Sequence, residues 1–129
     1  MADQVSHLMT KKRIHIVGAN VLIMGLTFKE NCPDLRNTRV VDVVSGLTEY
    51  GVEVDVHDPW VDAGAAHEEY GIDLTASPRN GSYDGVVIAV AHREFAEMGA
   101  EKIRAFGKDA SIVYDLKNVL SPQEADLRL

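Results

Sequence analysis

The sequence predicts an α/β fold, an open, mainly parallel sheet of five strands with helices on both faces. Two short apolar runs rich in branched residues, "VLIMGL" at 21–26 and "VVIAVA" at 86–91, carry the pattern of strands buried on both faces. Stretches with apolar residues at helical spacing separate them, and strand–helix–strand–helix order implies parallel strands joined by right-handed crossovers. A length of 129 residues suffices for one such domain with a real core, and hardly for two.

At the start, "DQVSHLMTKKR" (3–13) puts Val5, Leu8 and Met9 on one side of a leading helix. Pattern alone favours a helix packed on its own sheet over the end of a connecting helix from a larger protein. The strand at 21–26 is followed by "TRVVDVVSGLTEYG" (38–51), with Val40, Val41, Val44 and Leu47 at helical spacing and Gly51 at the C-terminal stop. Asp34, Asn37 or Thr38 can cap this helix. "VEVDVHDPW" (52–60) alternates Val52, Val54 and Val56 with polar residues and ends at Pro59, as a half-exposed strand does. Residues 61–70 read as a short helix, "GIDL" (71–74) as a brief strand and "RNGSYDG" (79–85) as a loop. After the buried run at 86–91 come a helix, "REFAEMGAEKIRAFG" (93–107), and a last strand, "SIVYDL" (111–116). "SPQEADLRL" (121–129) is expected to cap the domain or fray, and no internal repeat, low-complexity tract or linker is visible.

Composition narrows the partners. A formal charge of −7 argues against nucleic acid, whose phosphates attract basic surface, but local cations can still hold a small anion. No apolar run reaches the length of a membrane span, and the first residues lack the layout of a signal peptide. The single cysteine, Cys32, cannot form an internal disulfide, which fits a reducing cytoplasm. The expectation is a small soluble cytoplasmic domain.

In open parallel sheets, ligands bind beyond the carboxyl ends of the strands, near the point where strand order reverses. That edge collects Lys29 and Arg36 after the first strand, His57 and Asp58 after the second, His92 and Arg93 after the run at 86–91, and Lys117 after the last. The stretch "GLTFKENCPDLRNTR" (25–39) is longer than an ordinary strand-to-helix connection, heavily charged, and leads into a helix N-terminus. Cations beside a helix N-terminus suit a phosphate or pyrophosphate. For any single residue here, a solvated charge pairing with Glu30 or Asp34 is the ordinary alternative. For the edge as a whole, anion handling is the better reading.

The scaffold is Rossmann-like, yet the dinucleotide fingerprint is missing, since Gly25 is followed by Leu26-Thr27-Phe28-Lys29 rather than by closely spaced glycines. Asp58 stands where a ribose-binding acid belongs, although "DPW" can equally be a strand terminator. Lys29 and Arg36 can activate Cys32 as a nucleophile, but Glu30 and Asp34 offset them and no histidine lies close in sequence, so a free loop thiol is favoured. The histidines at 7, 15, 57, 67 and 92 lack metal-ligand spacing, and no serine-hydrolase motif is present. Neither a catalytic residue nor a metal site is expected.

"VLIMGLTFKENCPDLRNTRVVDVV", "VHDPW", "VVIAVAHREF" and "VYDLKNVL", in that order, resemble the C-terminal UDP-binding domain of the UDP-glucose/GDP-mannose dehydrogenase family. The wording "GLTFKENCPDLRNT" is most similar to bacterial UDP-N-acetylhexosamine 6-dehydrogenases, which make uronic acids for capsule, Vi-type or O-antigen polysaccharide. The resemblance covers nearly the whole chain. It implies an oxidoreductase that converts the primary alcohol at sugar carbon six to a carboxylate with two NAD, through a covalent cysteine intermediate. In the family that cysteine and the NAD fingerprint lie in other parts of the enzyme, so this chain corresponds to the UDP-binding third and is expected to be inactive alone.

By the same resemblance, Phe28, Lys29 and Lys117 contact the UDP-sugar and Arg36 reaches towards NAD, which is bound mainly by the N-terminal domain. Asn118 stands where the more familiar wording has glycine, and "AVAH" replaces the threonine–glutamate wording of the UDP-glucose branch, which argues against UDP-glucose as substrate. Residues 1–14 become the tail of an interdomain connecting helix and 15–129 the nucleotide-sugar domain. The implied partners are a UDP-sugar and the remaining N-terminal and central domains of a homo-oligomeric parent, with neither nucleic acid nor membrane. A free-standing nucleotide-binding or regulatory module with a Rossmann-like fold is the alternative. A receiver-like signalling domain would need an acid cluster where Gly25-Leu26-Thr27 stands.

Overall fold

The computed structural model describes residues 2–128. In chain order the elements are α1 (Ala2–Lys11), β1 (Asn20–Met24), α2 (Val40–Glu49), β2 (Glu53–His57), α3 (Ala63–Tyr70), β3 (Tyr83–Ile88), α4 (Arg93–Ala105), β4 (Gly107–Asp115) and β5 (Leu127–Arg128). The strands form one sheet in the order β2-β1-β3-β4-β5, with every pairing parallel. The chain leaves β1 for β2 on one side and returns to place β3 on the other, so strand order reverses between β1 and β3.

Alternation along β1 sorts the core onto two faces. Val21 and Ile23 pack with Val5 and Met9 of α1 and with Val43 and Leu47 of α2. Leu22 and Met24 face the other way, into Phe95 and Ile103 of α4. Strands covered on both faces become continuous apolar runs, which is why β1 and β3 are legible. The leading helix is part of this packing, because Val5 and Met9 are fully buried. Lys12, just beyond it, reaches the Ser111 carbonyl (3.0 Å) and the Asp126 carboxylate (3.0 Å).

Several boundaries differ from expectation. "GIDL" is not a strand, and only a single bridge joins Leu74 to Val56. The fifth strand comes instead from the tail expected to cap or fray, with Leu127 opposite Tyr114. Tyr83–Gly85, read as loop from their polarity, open β3. Their polar groups are satisfied laterally, since Asp84 accepts from the Asn20 N–H (2.8 Å) and from Lys108, and the Tyr83 hydroxyl donates to Asp55 (2.8 Å). At its other end β3 stops at Ile88, and the N–H groups of Ala89 and Val90 both turn to the Met24 carbonyl. α4 is broken at Gly99, where φ is 79°. None of the three candidate caps stands at the N-cap of α2, which is Arg39. Thr38 instead accepts from the Val40 N–H (3.2 Å) and donates to the Leu26 carbonyl (2.6 Å).

Candidate functional site at the carboxyl edge of the sheet

The turn after β1 begins at Gly25, whose φ of 103° favours glycine and where a Cβ would lie 2.6 Å from that of Val90. Close approach here lets the next two N–H groups, of Leu26 and Thr27, donate to Asp58 Oδ2 at 2.7 and 3.2 Å. In a dinucleotide-binding turn such N–H groups meet the pyrophosphate. Here an internal carboxylate takes them, so the turn does not fit an NAD pyrophosphate, in keeping with the missing glycines. Asp58 is 4% exposed and is therefore a strand-end anchor, not a ribose ligand.

His92 completes the anchor. Its side chain is fully buried, and Nδ1 accepts from the Asn31 N–H at 2.9 Å. A backbone N–H can only donate, so the ring proton sits on Nε2, 2.9 Å from Asp58 Oδ2 and 3.2 Å from Thr27 Oγ1. The remaining Asp58 oxygen accepts from the Trp60 N–H at 2.8 Å. Burial pushes the Asp58 carboxyl up, but the hydrogen bonds from His92 and from the Leu26 and Trp60 N–H groups outweigh it and hold the group below the usual carboxylate range. Trp60 stacks on the His92 ring (6.0 Å between centroids), and its indole N–H donates to Glu94 at 2.9 Å. The loops after β1, β2 and β3 are thus tied together beneath the edge.

Above this anchor lies a cleft of about 150 Å³. Thr27 and Phe28 come from the first loop, Arg39 and Val40 from the start of α2, Ala89 from the end of β3, and Leu116 and Lys117 from beyond β4. It opens at the reversal of strand order, with an apolar floor, two cations and a Phe28 ring that is 57% exposed. Lys117 is carried on a turn organised by Asp115, a fully buried carboxylate that accepts from the N–H groups of Lys117, Val119 and Leu120. Asn118, at φ 57°, supplies the left-handed backbone that a glycine would otherwise provide.

Of the residues singled out from sequence, Phe28 and Lys117 meet in the cleft. Lys29 is exposed beside Phe28, outside the lining, with no side-chain partner among the described residues. Arg36 lies apart, its side chain 82% exposed and held by Asp34 through Nε (3.0 Å) and Nη2 (3.1 Å). This pairing raises the Arg36 pKa and lowers that of Asp34, and Nη1 has no acceptor among the described residues. Cys32 is a half-buried free thiol. No group of three or more His, Cys, Asp or Glu side chains suited to a metal ion occurs among the described residues, and no described helix is long and apolar enough to cross a membrane.

Arg39 and the His92–Asn31 contact were not anticipated. A cation at a helix start is disfavoured by the helix dipole, which makes Arg39, at the N-cap of α2 with Asp42 in the first turn, a position that could have been singled out.

A doubly wound parallel sheet with an aromatic, cation-flanked cleft at its reversal point defines a nucleotide-binding α/β domain. The chain belongs to the UDP-glucose/GDP-mannose dehydrogenase family, whose UDP binding domain matches residues 22–122. It is 57% identical to the UDP-N-acetyl-D-glucosamine 6-dehydrogenase of Pseudomonas aeruginosa, over 100% of this chain and 31% of that protein. With the enzyme of the same name from Salmonella typhi it shares 49% identity, over 100% of this chain and 30% of the relative. Among solved structures, the UDP-D-ManNAc dehydrogenase of Pyrococcus horikoshii superposes with a TM-score of 0.77 at 23% identity, covering 98% of this chain and 29% of that one, a likeness of fold. The chain spans less than a third of the length of the curated relatives it matches.

Proposed function

We propose that this chain is the nucleotide-sugar-binding domain of an NAD-dependent UDP-N-acetylhexosamine 6-dehydrogenase serving polysaccharide biosynthesis. The observation that carries the reading is the cleft at the strand reversal, which joins Phe28, Arg39 and Lys117 in a chain of this family. A flat exposed ring suits a base or sugar face, and two cations beside a helix N-terminus suit a diphosphate. Lys29, a compact ammonium at the loop tip, is assigned to sugar oxygens, and Arg36 to NAD through the edge of its guanidinium that Asp34 leaves free. NAD supplies the hydride acceptor in such an enzyme and is held mainly by other domains, since the turn after β1 is occupied by Asp58.

Residues 1–14 are read as the end of an interdomain helix docked on the domain 15–129. The family match, residues 22–122, lies within 15–129, while the burial of Val5 and Met9 makes the helix part of the core. The same reading places the protein in the cytoplasm as part of a homo-oligomer.

Calorimetric titration of this chain tests the proposal. UDP should bind saturably, and Arg39→Ala and Lys117→Ala should each weaken it about tenfold, the loss expected for one charged hydrogen bond. Arg36→Ala should leave UDP binding unchanged. Lys29→Ala should remove whatever affinity UDP-N-acetylglucosamine gains over UDP. Absence of UDP binding, or equal losses in the Arg36 and Lys117 variants, would sink this assignment.

A further inference from the structure

The 25–39 loop carries its ligand-facing residues on an exposed tip, and something must hold that tip in register with the cleft. Phe28, Lys29 and Glu30 are all exposed. Within the loop, the Phe28 N–H donates to the Asp34 carbonyl (3.2 Å) and the Thr27 hydroxyl donates to the Lys29 carbonyl (2.8 Å). The connection from tip to scaffold runs through Asn31. Its N–H donates to His92 Nδ1 (2.9 Å), and its side-chain oxygen accepts from the Arg93 N–H at the start of α4 (2.8 Å). Asn31 sits at φ 54°, a left-handed conformation that asparagine tolerates.

We propose that His92 is a positioning residue, an imidazole whose Nδ1 holds the Asn31 N–H and so fixes Phe28 and Lys29 for the nucleotide-sugar, with the Nε2–H to Asp58 orienting the ring. The ligand half of this statement rests on the function proposed above. Both ring nitrogens of His92 and both carboxylate oxygens of Asp58 are hydrogen-bonded. Asp58 receives the Leu26, Thr27 and Trp60 N–H groups and the His92 Nε2–H, so it acts only as an acceptor. Nδ1 faces a donor that cannot reverse, so a second ring proton would set N–H against N–H. The ring has no freedom to turn away, since Trp60 stacks on one side and Phe95 meets it edge-on at 5.4 Å. The charged groups around it are Asp58 in direct contact, Glu94 beyond the Trp60 indole, and Arg93 over the Trp60 ring at 5.0 Å. A satisfied polar network in a dry setting holds geometry closely, because any alternative leaves a buried group unpaired.

Two variants separate the clamp from simple core filling. In His92→Asn the amide oxygen can replace Nδ1 and keep the Asn31 bond, whereas in His92→Gln the amide nitrogen can replace Nε2 and keep only the Asp58 bond. Hydrogen exchange followed by NMR should show the Asn31 amide protected in wild type and in His92→Asn. In His92→Gln it should exchange about tenfold faster, as loss of one hydrogen bond implies, while amides of β1 and β3 stay protected in all three. UDP titrations should follow the same order, with His92→Gln about tenfold weaker. Nitrogen shifts of the wild-type ring should report the Nε2–H tautomer. A proton on Nδ1, or equal Asn31 exchange in the two variants, would overturn the clamp. If wild type binds no UDP, the ligand half falls with the reading beneath it, while the exchange and tautomer results still decide the clamp. If UDP binds but both variants bind it as wild type does, His92 positions nothing for the ligand.

Discussion

A carboxylate at the end of a parallel strand has two ready uses, to hold a ligand hydroxyl or to satisfy N–H groups of neighbouring turns. Asp58 takes the second, accepting from three backbone N–H groups and from His92 while almost wholly buried. Its folded pKa lies below the ordinary value, so ionised Asp58 contributes its stability above the usual carboxylate pKa of about 3.9. That contribution is lost as pH falls from there through the folded value. Asp58→Asn is therefore expected to destabilise the domain by about 3 kcal/mol near neutral pH, the upper range for hydrogen bonds to a charged group. Urea melts at a series of pH values should show the gap between wild type and variant narrowing below about pH 4. A gap that stays constant would mean the ionised form is not what the turn requires.

Between elements, the tail after β4 is the least expected tie. Burial pushes the Asp126 carboxyl up, yet the Val113 N–H (2.7 Å) and Lys12 (3.0 Å) outweigh it and hold the group low, with Arg104 of α4 a further partner at 3.3 Å. One side chain thus joins α1, α4 and β4 to the residues leading into β5. Asp126→Ala should cost about 2 kcal/mol and loosen α1, seen as faster amide exchange around Val5 and Met9. Unchanged exchange there would show that apolar packing alone seats the helix. The same segment marks where periodicity stops being informative. Doubly covered strands and amphipathic helices announce themselves through local pattern, so β1, α2, β2 and β4 are legible from sequence. "GIDL" and "DLR" are both short and ambiguous, and only the neighbouring edge decides which becomes a strand. β2 offers Leu74 a single bridge, whereas β4 receives Leu127 and Arg128. Of the residues lining the cleft, Lys117 stands out by its position after a strand end, whereas Phe28 is reached only through the family resemblance. The His92–Asp58 and His92–Asn31 contacts join residues 34 and 61 positions apart, a distance at which no local pattern exists.

Across the whole molecule, an acidic chain of net charge −7 directs Arg39 and Lys117 into one cleft and leaves Lys29 exposed beside it, without a partner among the described residues. Local cations can set the potential of a recessed site against the sign of the whole, and salt weakens them less there than on open surface. The buried acids beneath do not oppose this field freely, because Asp58 and Asp115 are each surrounded by N–H donors. The fold thus separates anchoring acids below the edge from the cations that line the cleft above it, and the claim that a nucleoside diphosphate binds there concerns a single location. Titration of the isotope-labelled chain with UDP, read as amide shift changes, tests it most directly. The account predicts the largest changes at Thr27 to Lys29, Arg39 to Val40 and Leu116 to Asn118, with little change at the amino ends of the strands around Gly18 and Lys108. Changes centred on that opposite edge, or none at saturating UDP, would contradict it.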